Sequence, residues 1–270
     1  MIKAGWIRCF QKVFTANARK VRAGERAMAL QQLHLPSVEE RCVYLAGMTS
    51  ATEYRVLADV SPLEHERLLE LGWRHFGAQY FRPVCAACRE CVSLRVPVAS
   101  FRPTKSQRRA WKKCGDLRVI IGSPVVDAER LDLFHAWHAM REDSRGWNAS
   151  AMTTEDYQLS FCQAHPCARE FAYYDGGRLV AVGLVDVTPN AVSSAYFYYH
   201  PDCRRRALGV ASVLFEIYWA RENGRAHLYL GYRVRGCPST AYKAQYGPHE
   251  LLVGRPEFNE DAVWKTASSE

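Results

Sequence analysis

Apolar positions along this chain recur with two periods, helical in some stretches and alternating in others, and the switches between them mark out its elements. In SPLEHERLLELG, Leu63, Leu68, Leu69 and Leu71 supply an apolar side. Ser61 stands as N-cap, Pro62 at the first helical position and Glu64 as capping-box partner, and Gly72 ends the helix. The runs WRHFGAQYF and SLRVPV read as strands flanking a cysteine loop. A second helix, over about 104–114, stops at Gly115, and LRVII then reads as a strand. From Asp127 the pattern changes to two longer helices, around 128–141 and 154–163. Strand-like runs follow: REFAYY, RLVAVGLVDV, VSSAYFYY and, after a helix at 209–223, AHLYLGY. Turn signals at 175–177 and 188–190 join the first three into an antiparallel meander.

Charge and composition change this picture at one end. Of the 270 residues, the first 27 carry seven Lys/Arg against one Glu, so most of the formal +8 sits there. Trp6, Ile7, Phe10, Val13 and Phe14 recur at helical spacing among Lys3, Arg8, Lys12, Arg19 and Lys20. Such a segment suits a transit peptide or membrane-surface helix, or a basic appendage ahead of a second start at Met28, and the appendage reading is adopted. The remainder nets only +2, so local clusters must carry any case for nucleic acid. No apolar run is long enough to cross a bilayer and no secretory segment is evident, which predicts a cytoplasmic protein without a membrane partner. The expected division is an appendage at 1–27, a cysteine-bearing region at 28–125, a second domain at 126–260 and a tail at 261–270.

Four constellations carry candidate chemistry. Cys85, Cys88 and Cys91 stand at two-residue spacings, and Cys42 is the candidate fourth ligand for zinc or a 4Fe–4S cluster; unligated thiols are the plain alternative. In TKSQRRAWKK, Lys105, Arg108, Arg109, Lys112 and Lys113 share one helical face without an acid, as a polyanion-binding stripe would. Arg206, Gly209 and Ala211 sit between a strand and a helix start, where free N–H groups can receive a phosphate. Asp186 lies inside an apolar strand, where a carboxylate needs a partner or a task, and Tyr196 and Lys243 lie among the tyrosines of neighbouring strands. A turn-capping Asp186 and core tyrosines are the bland alternatives.

The element order after residue 125 resembles the fold of the N-acetyltransferase superfamily, and Arg206-x-x-Gly209-x-Ala211 matches its donor-phosphate loop. The expected class is therefore α+β: a cysteine-bearing N-terminal α/β region, then a mixed, mainly antiparallel sheet with helices on both faces. CVYL, GWRHFGAQYFRPVCAACRECVSLRVPV, FRPTKSQRRAWKK, LVAVGLVDVTPNAVSSAYFYYHPD, RRRALGV and YLGYRVRGCPSTAYKAQYGPHELL together resemble the aminoacyl-tRNA–protein transferases. Bacterial leucyltransferases acting on N-terminal Asp or Glu, kin to eukaryotic arginyltransferases, are the nearest form. The segment GYRVRGCPSTAYK departs from the pattern typical of many bacterial members, which leaves leucine or arginine as the donor amino acid.

The resemblance implies leucyl-tRNA or arginyl-tRNA as donor, proteins with N-terminal Asp or Glu as acceptors, N-end-rule degradation as the outcome and no small-molecule cofactor for transfer. It implies that Cys42, Cys85, Cys88 and Cys91 are the family cysteines and that Asp186 is its strand acid. Asp186 is then expected close to the transferred acyl group as proton acceptor or orienter, with Tyr196 as a second candidate. The tRNA is expected to contact Lys105, Arg108, Arg109, Lys112 and Lys243, and its terminal phosphate the loop of Arg206, Gly209 and Ala211. An acetyl-CoA-dependent N-acetyltransferase is the alternative enzyme, and a non-catalytic zinc module that binds nucleic acid is the alternative from another class.

Overall fold

The computed structural model describes residues 32–35, 39–145, 149, 151–163 and 165–267; the basic segment 1–27 lies outside them. Strands β1 (Gln32–Leu35), β2 (Glu39–Arg41), β3 (Thr49–Leu57), β4 (Arg74–Phe76) and β5 (Gln79–Pro83) make a small antiparallel sheet in which β3 is the hub. Helix α1 (Pro62–Glu70) packs within this part. The expected capping box is present: Glu64 N–H donates to Ser61 Oγ at 3.3 Å and Ser61 N–H to Glu64 Oε2 at 2.9 Å. The WRHFGAQYF run is a hairpin of β4 and β5 rather than one strand. Gly77 makes its turn at φ +53°, where a Cβ would lie 2.3 Å from the carbonyl oxygen of Leu159.

The large sheet has eight strands. It adds β6 (Cys91–Pro97), β7 (Arg118–Gly122), β8 (Ala168–Asp175), β9 (Arg178–Val187), β10 (Ala191–Tyr199), β11 (His227–Val234), β12 (Glu250–Leu252) and β13 (Trp264–Thr266), in the order β13-β12-β6-β11-β10-β9-β8-β7. The expected boundary at residue 125 does not divide this sheet, because β6 and β7 come from ahead of it. The expected tail contributes too: β13 pairs with β12 through Trp264 opposite Leu252.

Helices cover both faces. Helix α2 (Lys105–Lys112) and α5 (Leu208–Glu222) lie on one face, with Leu208, Val213, Leu214 and Ile217 against Ala181 and Val185 of β9. On the other, α3 (Ala128–Arg145) and α4 (Thr154–Tyr157, continued by a π turn at Gln158–Cys162) pack Leu133, Phe134 and Tyr157 against Val182 and Leu184. Covered on both sides, β9 is buried from Leu179 to Asp186, which explains why its sequence is an apolar run instead of an alternation. The mixed sheet with helices on both faces is the α+β architecture expected from the sequence.

One ion pair fastens α3 to this sheet. Arg130 of α3 meets Glu170 of β8 with Nε 2.9 Å from Oε2, both residues under 10 % exposed. Removing one member leaves the other buried and uncompensated. Arg130→Met should therefore cost roughly 3–5 kcal/mol in urea unfolding, whereas Arg178→Met, at an exposed strand start, should stay within about 0.5 kcal/mol.

Candidate active site at the seam of the two sheets

Asp186 is where the two halves meet. It lies near the end of β9, opposite Ser193 of β10 and Ala168 of β8, and is 3 % exposed. Two imidazoles from the N-terminal part close on it: His65 Nε2 at 3.5 Å and His75 Nε2 at 3.1 Å from Oδ2. His65 follows from the helical period, since with Leu68 and Leu69 it occupies the inner side of α1. Leu63, expected on that side, is 68 % exposed instead. Behind the imidazoles, Tyr80 Oη lies 2.8 Å from His65 Nδ1 and 3.2 Å from His165 Nε2. His75 Nδ1–H donates to Gly77 O at 2.8 Å. Burial alone would raise the Asp186 pKa, but His75 and His65 outweigh it and hold the carboxyl well below the usual range. A carboxylate that weakly basic is a poor proton acceptor near neutral pH. Of the two roles expected of Asp186, that of a fixed, ionised orienter fits this environment better than that of proton acceptor.

A second group stands beside it, of which the sequence had singled out Lys243 but not Arg74 or Glu216. Strands β10 and β11 run parallel and are joined over three rows, Ala191–His227, Val192–Leu228 and Ser193–Tyr229. Irregularities follow at once, between Ser194 and Tyr196 in β10 and between Tyr229 and Gly231 in β11. Where the strands part, Arg74 of β4 enters, donating to Ser193 Oγ at 2.8 Å and to the Ser194 carbonyl. Lys243 enters from the short 3-10 turn after β11, its Nζ donating to Tyr232 O at 2.8 Å. Gly231 takes φ +74°, a backbone that favours glycine, and a Cβ there would make ordinary contacts, 3.5 Å from Lys243 Nζ and 3.6 Å from Arg74 Nε. Burial first, and Arg74 second, pull the Lys243 pKa down to about 7. From α5, Glu216 reaches the same region: Ser194 Oγ lies 3.4 Å from its Oε1, and Oε2 has no hydrogen-bond partner. Burial pushes its pKa up to about 8 against the opposing pull of Ser194 and Arg74.

The other sequence candidates fall elsewhere. Tyr196 is built into the aromatic core between Phe134 and Phe161, its hydroxyl 2.8 Å from His138 Nε2, so it stands as a packing residue. Arg206 is not free: it pairs at the surface with Asp116 and Asp175, 2.6 Å from the latter. Gly209 and Ala211 lie in the first turn of α5, where a Cβ on Gly209 would make an ordinary 3.9 Å contact with Phe197. That loop follows Tyr199, which pairs with Ala181, five residues or about 17 Å along β9 from Asp186. The loop also leads into the helix on the opposite face from the α3–α4 side that Leu184 shares with Asp186. A donor whose terminal phosphate rested at this loop would therefore have to span that distance and pass from one face of the sheet to the other to bring its ester to Asp186. Lys243 is buried, not on a tRNA-facing surface.

The basic stripe is on the surface as expected. Lys105, Arg108, Arg109, Lys112 and Lys113 are exposed, while Gln107 and Ala110 face inward and Trp111 meets Tyr218 edge-on at 5.0 Å. Cys42, Cys85, Cys88 and Cys91 come together as neighbours. Burial and the other three sulfurs push the Cys91 thiol up to about 12. Leu45 N–H points at Cys42 Sγ, 3.4 Å, and Ala51 N–H at Cys85 Sγ, 3.3 Å. Among the described residues, however, the set whose ligand atoms all lie within 4.8 Å of one another is His65, His75 and Asp186. A cavity opens beside that set, lined by His75, Gln163, His165, Arg169, Asp186 and Ala195 among others.

A mixed sheet with one parted parallel pair and buried ionisable groups in the gap suits a group-transfer enzyme. Two family descriptions match: "Arginine-tRNA-protein transferase, N terminus" over residues 40–109 and "Arginine-tRNA-protein transferase, C terminus" over 129–253. The chain belongs to this aminoacyl-tRNA–protein transferase family, and it is an enzyme of that kind. It is 33 % identical over 231 residues to an aspartate/glutamate leucyltransferase of Campylobacter jejuni, covering 85 % of this chain and 97 % of that one. To the protein of the same name from Halorhodospira halophila it is 37 % identical over 224 residues, covering 79 % and 91 %. Among solved structures it is similar to FemX (TM-score 0.48, 11 % identity, 75 % and 69 % covered) and to L-PGS from Bacillus licheniformis (0.46, 11 %, 86 % and 81 %).

The raised Glu216 has a thermodynamic signature. A carboxyl that holds its proton up to about pH 8 when folded, but loses it near its ordinary value when unfolded, contributes stability at acid pH that is lost as the pH rises through that window. Glu216→Gln should remove this dependence. Its melting temperature relative to the parent should climb between about pH 5 and pH 8 and level off above. A difference that does not vary with pH in scanning calorimetry would refute the raised pKa.

Proposed function

We propose that the protein transfers leucine from leucyl-tRNA to the N-terminal amine of proteins that begin with Asp or Glu, so marking them for N-end-rule degradation in the cytoplasm. The observation that carries this reading is the gap between β10 and β11 occupied by Arg74 and Lys243. An aminoacyl ester is already activated, so the enzyme's task is to hold a neutral amine against it and manage one proton. Lys243, with its pKa near 7, is part-neutral at neutral pH and suits the proton acceptor. The amine nitrogen attacks the ester carbonyl carbon, the new C–N bond forms, the C–O bond to the tRNA ribose breaks, and the amine's proton passes by way of Lys243 to the leaving hydroxyl. The Arg74 guanidinium supplies positive charge for the oxyanion between these steps.

The same two cations favour leucine over arginine, because an arginyl side chain entering the gap would meet Arg74 and Lys243 while Glu216 is largely protonated. The cavity beside Asp186 suits the acceptor: Asp186 offers its charge to the α-amine and Arg169 to the acidic side chain. The exposed stripe of α2 suits the tRNA backbone. The acetyl-CoA reading lacks support, since Arg206 in the loop that would hold the pyrophosphate is neutralised by Asp116 and Asp175. The four neighbouring thiols suit a soft metal, zinc or a 4Fe–4S cluster, since the cysteine N–H···S contacts favour thiolates that burial alone disfavours.

Incubation with labelled leucyl-tRNA, arginyl-tRNA or acetyl-CoA and an Asp-initiated peptide tests the reading. Label should pass from leucyl-tRNA, and passage from acetyl-CoA alone would sink it. Lys243→Met should lower transfer roughly a hundredfold while leaving leucyl-tRNA affinity within about threefold. Reversing Arg108, Arg109 and Lys112 to Glu should do the opposite: binding weakens, and the slope of log affinity against log salt flattens by about 0.7–0.9 per lost phosphate contact. An unchanged slope would show that the stripe only faces solvent.

A further inference from the structure

We propose that His65, His75 and Asp186 form a binding site for a divalent transition-metal ion of the zinc class, separate from the cysteines, that joins the two halves of the molecule. The three atoms that face one another are His65 Nε2, His75 Nε2 and Asp186 Oδ2. All three are buried, and their only partners are one another: the two imidazole nitrogens stand at ion-pair distance from the carboxylate without a well-formed hydrogen bond to it. Three such atoms converging on one point is a costly arrangement, which a shared cation would relieve.

The spacing decides in favour of a metal. Zinc–nitrogen and zinc–carboxylate bonds of about 2.0–2.2 Å at tetrahedral angles separate neighbouring ligand atoms by roughly 3.3 Å. The two nitrogen–oxygen separations, 3.1 and 3.5 Å, bracket that value. The outer nitrogens are engaged as those of ligating histidines usually are. His75 Nδ1–H donates to the Gly77 carbonyl, which can only accept, so in the neutral ring Nε2 carries the lone pair that faces inward. His65 Nδ1 meets the Tyr80 hydroxyl at 2.8 Å, and that hydroxyl is fixed in turn by His165. Two imidazoles and one carboxylate are a borderline donor set, suited to zinc, cobalt or ferrous iron rather than to calcium or magnesium. His75 and Asp186 also line the cavity, so a further coordination position can face it.

His65 and His75 come from α1 and β4, Asp186 from β9. An ion here would act as a rivet between the small sheet and the large one. The site needs no tRNA or acceptor, so its test stands apart from that of the proposed reaction.

The probe is cobalt(II), titrated into full-length protein stripped with a chelator. Cobalt on the cysteines gives an intense sulfur-to-metal charge-transfer band, whereas cobalt on two imidazoles and a carboxylate gives ligand-field bands without one. One equivalent of the second kind is expected. It should disappear in His75→Gln and in Asp186→Asn, persist in Cys85→Ser, and weaken about tenfold or more in affinity in Tyr80→Phe. Should the His75 and Asp186 variants fail to fold, X-ray absorption at the zinc edge of the zinc-loaded parent replaces them: a nitrogen/oxygen-ligated fraction beyond the thiolate centre supports the site. A parent that takes up no such equivalent, or a band that survives both substitutions, overturns it and leaves an imidazolium–carboxylate cluster in its place.

Discussion

A carboxylate buried at 3 % exposure organises this molecule. Asp186 is ionised inside the large sheet, and an ionised group there must be met by opposite charge or hydrogen bonds. The strands of its own sheet do not supply them. The partners arrive from the small sheet and its helix, as His65, His75 and Arg74. Arg74 is half-buried, and burial pulls its pKa down against the opposing effect of Asp186. The two halves are thus tied by mutual need. Neither the charge on β9 nor the polar groups that α1 and β4 aim at it could stay buried together if the halves separated.

The same constraint shapes the gap between β10 and β11. Arg74 can reach Ser193 and Ser194 because β10 becomes irregular right after its third paired row. Gly231 makes the matching irregularity in β11, with a left-handed backbone next to both Arg74 and Lys243. With two cations in place, Glu216 gains some compensation, yet one of its oxygens stays unpartnered. Natural sequences keep such local violations where function requires them.

How much of this was legible follows from the range of the interactions involved. The Ser61 capping box, the α2 stripe and the meander are set by residues within a few positions of one another, and each stands as its pattern indicates. His65, Arg74 and His75 were missed because their partner is far away in sequence, on β9. In isolation WRHF is a strand fragment, and His65 is a polar residue in an otherwise good helix. The one local clue was that His65 shares a face with Leu68 and Leu69, which places an imidazole where the helix meets its core. The boundary near residue 125 falls between the two family matches, yet the large sheet crosses it, since β6 reads like its neighbours in the small sheet but pairs with β11.

The loop before α5 shows where the likeness to an acetyltransferase stops being informative. A helix start with a free arginine can seat one compact anion, such as a pyrophosphate. Here Arg206 is held by Asp116 and Asp175, and nothing crowds Gly209 to demand a glycine. A tRNA poses a different problem, because its charges are spread along a backbone and cannot all reach one helix terminus. Helix α2 spans about 10 Å from Lys105 to Lys112 at 1.5 Å per residue, with neighbouring cations roughly 5–6 Å apart at their Cβ atoms. That row can meet successive phosphates, each contact releasing counterions. A line of cations such as this one is therefore suited to an extended polyanion, and a single helix start to a compact one. Arg206 is a strut between Asp116, Asp175 and the end of α2.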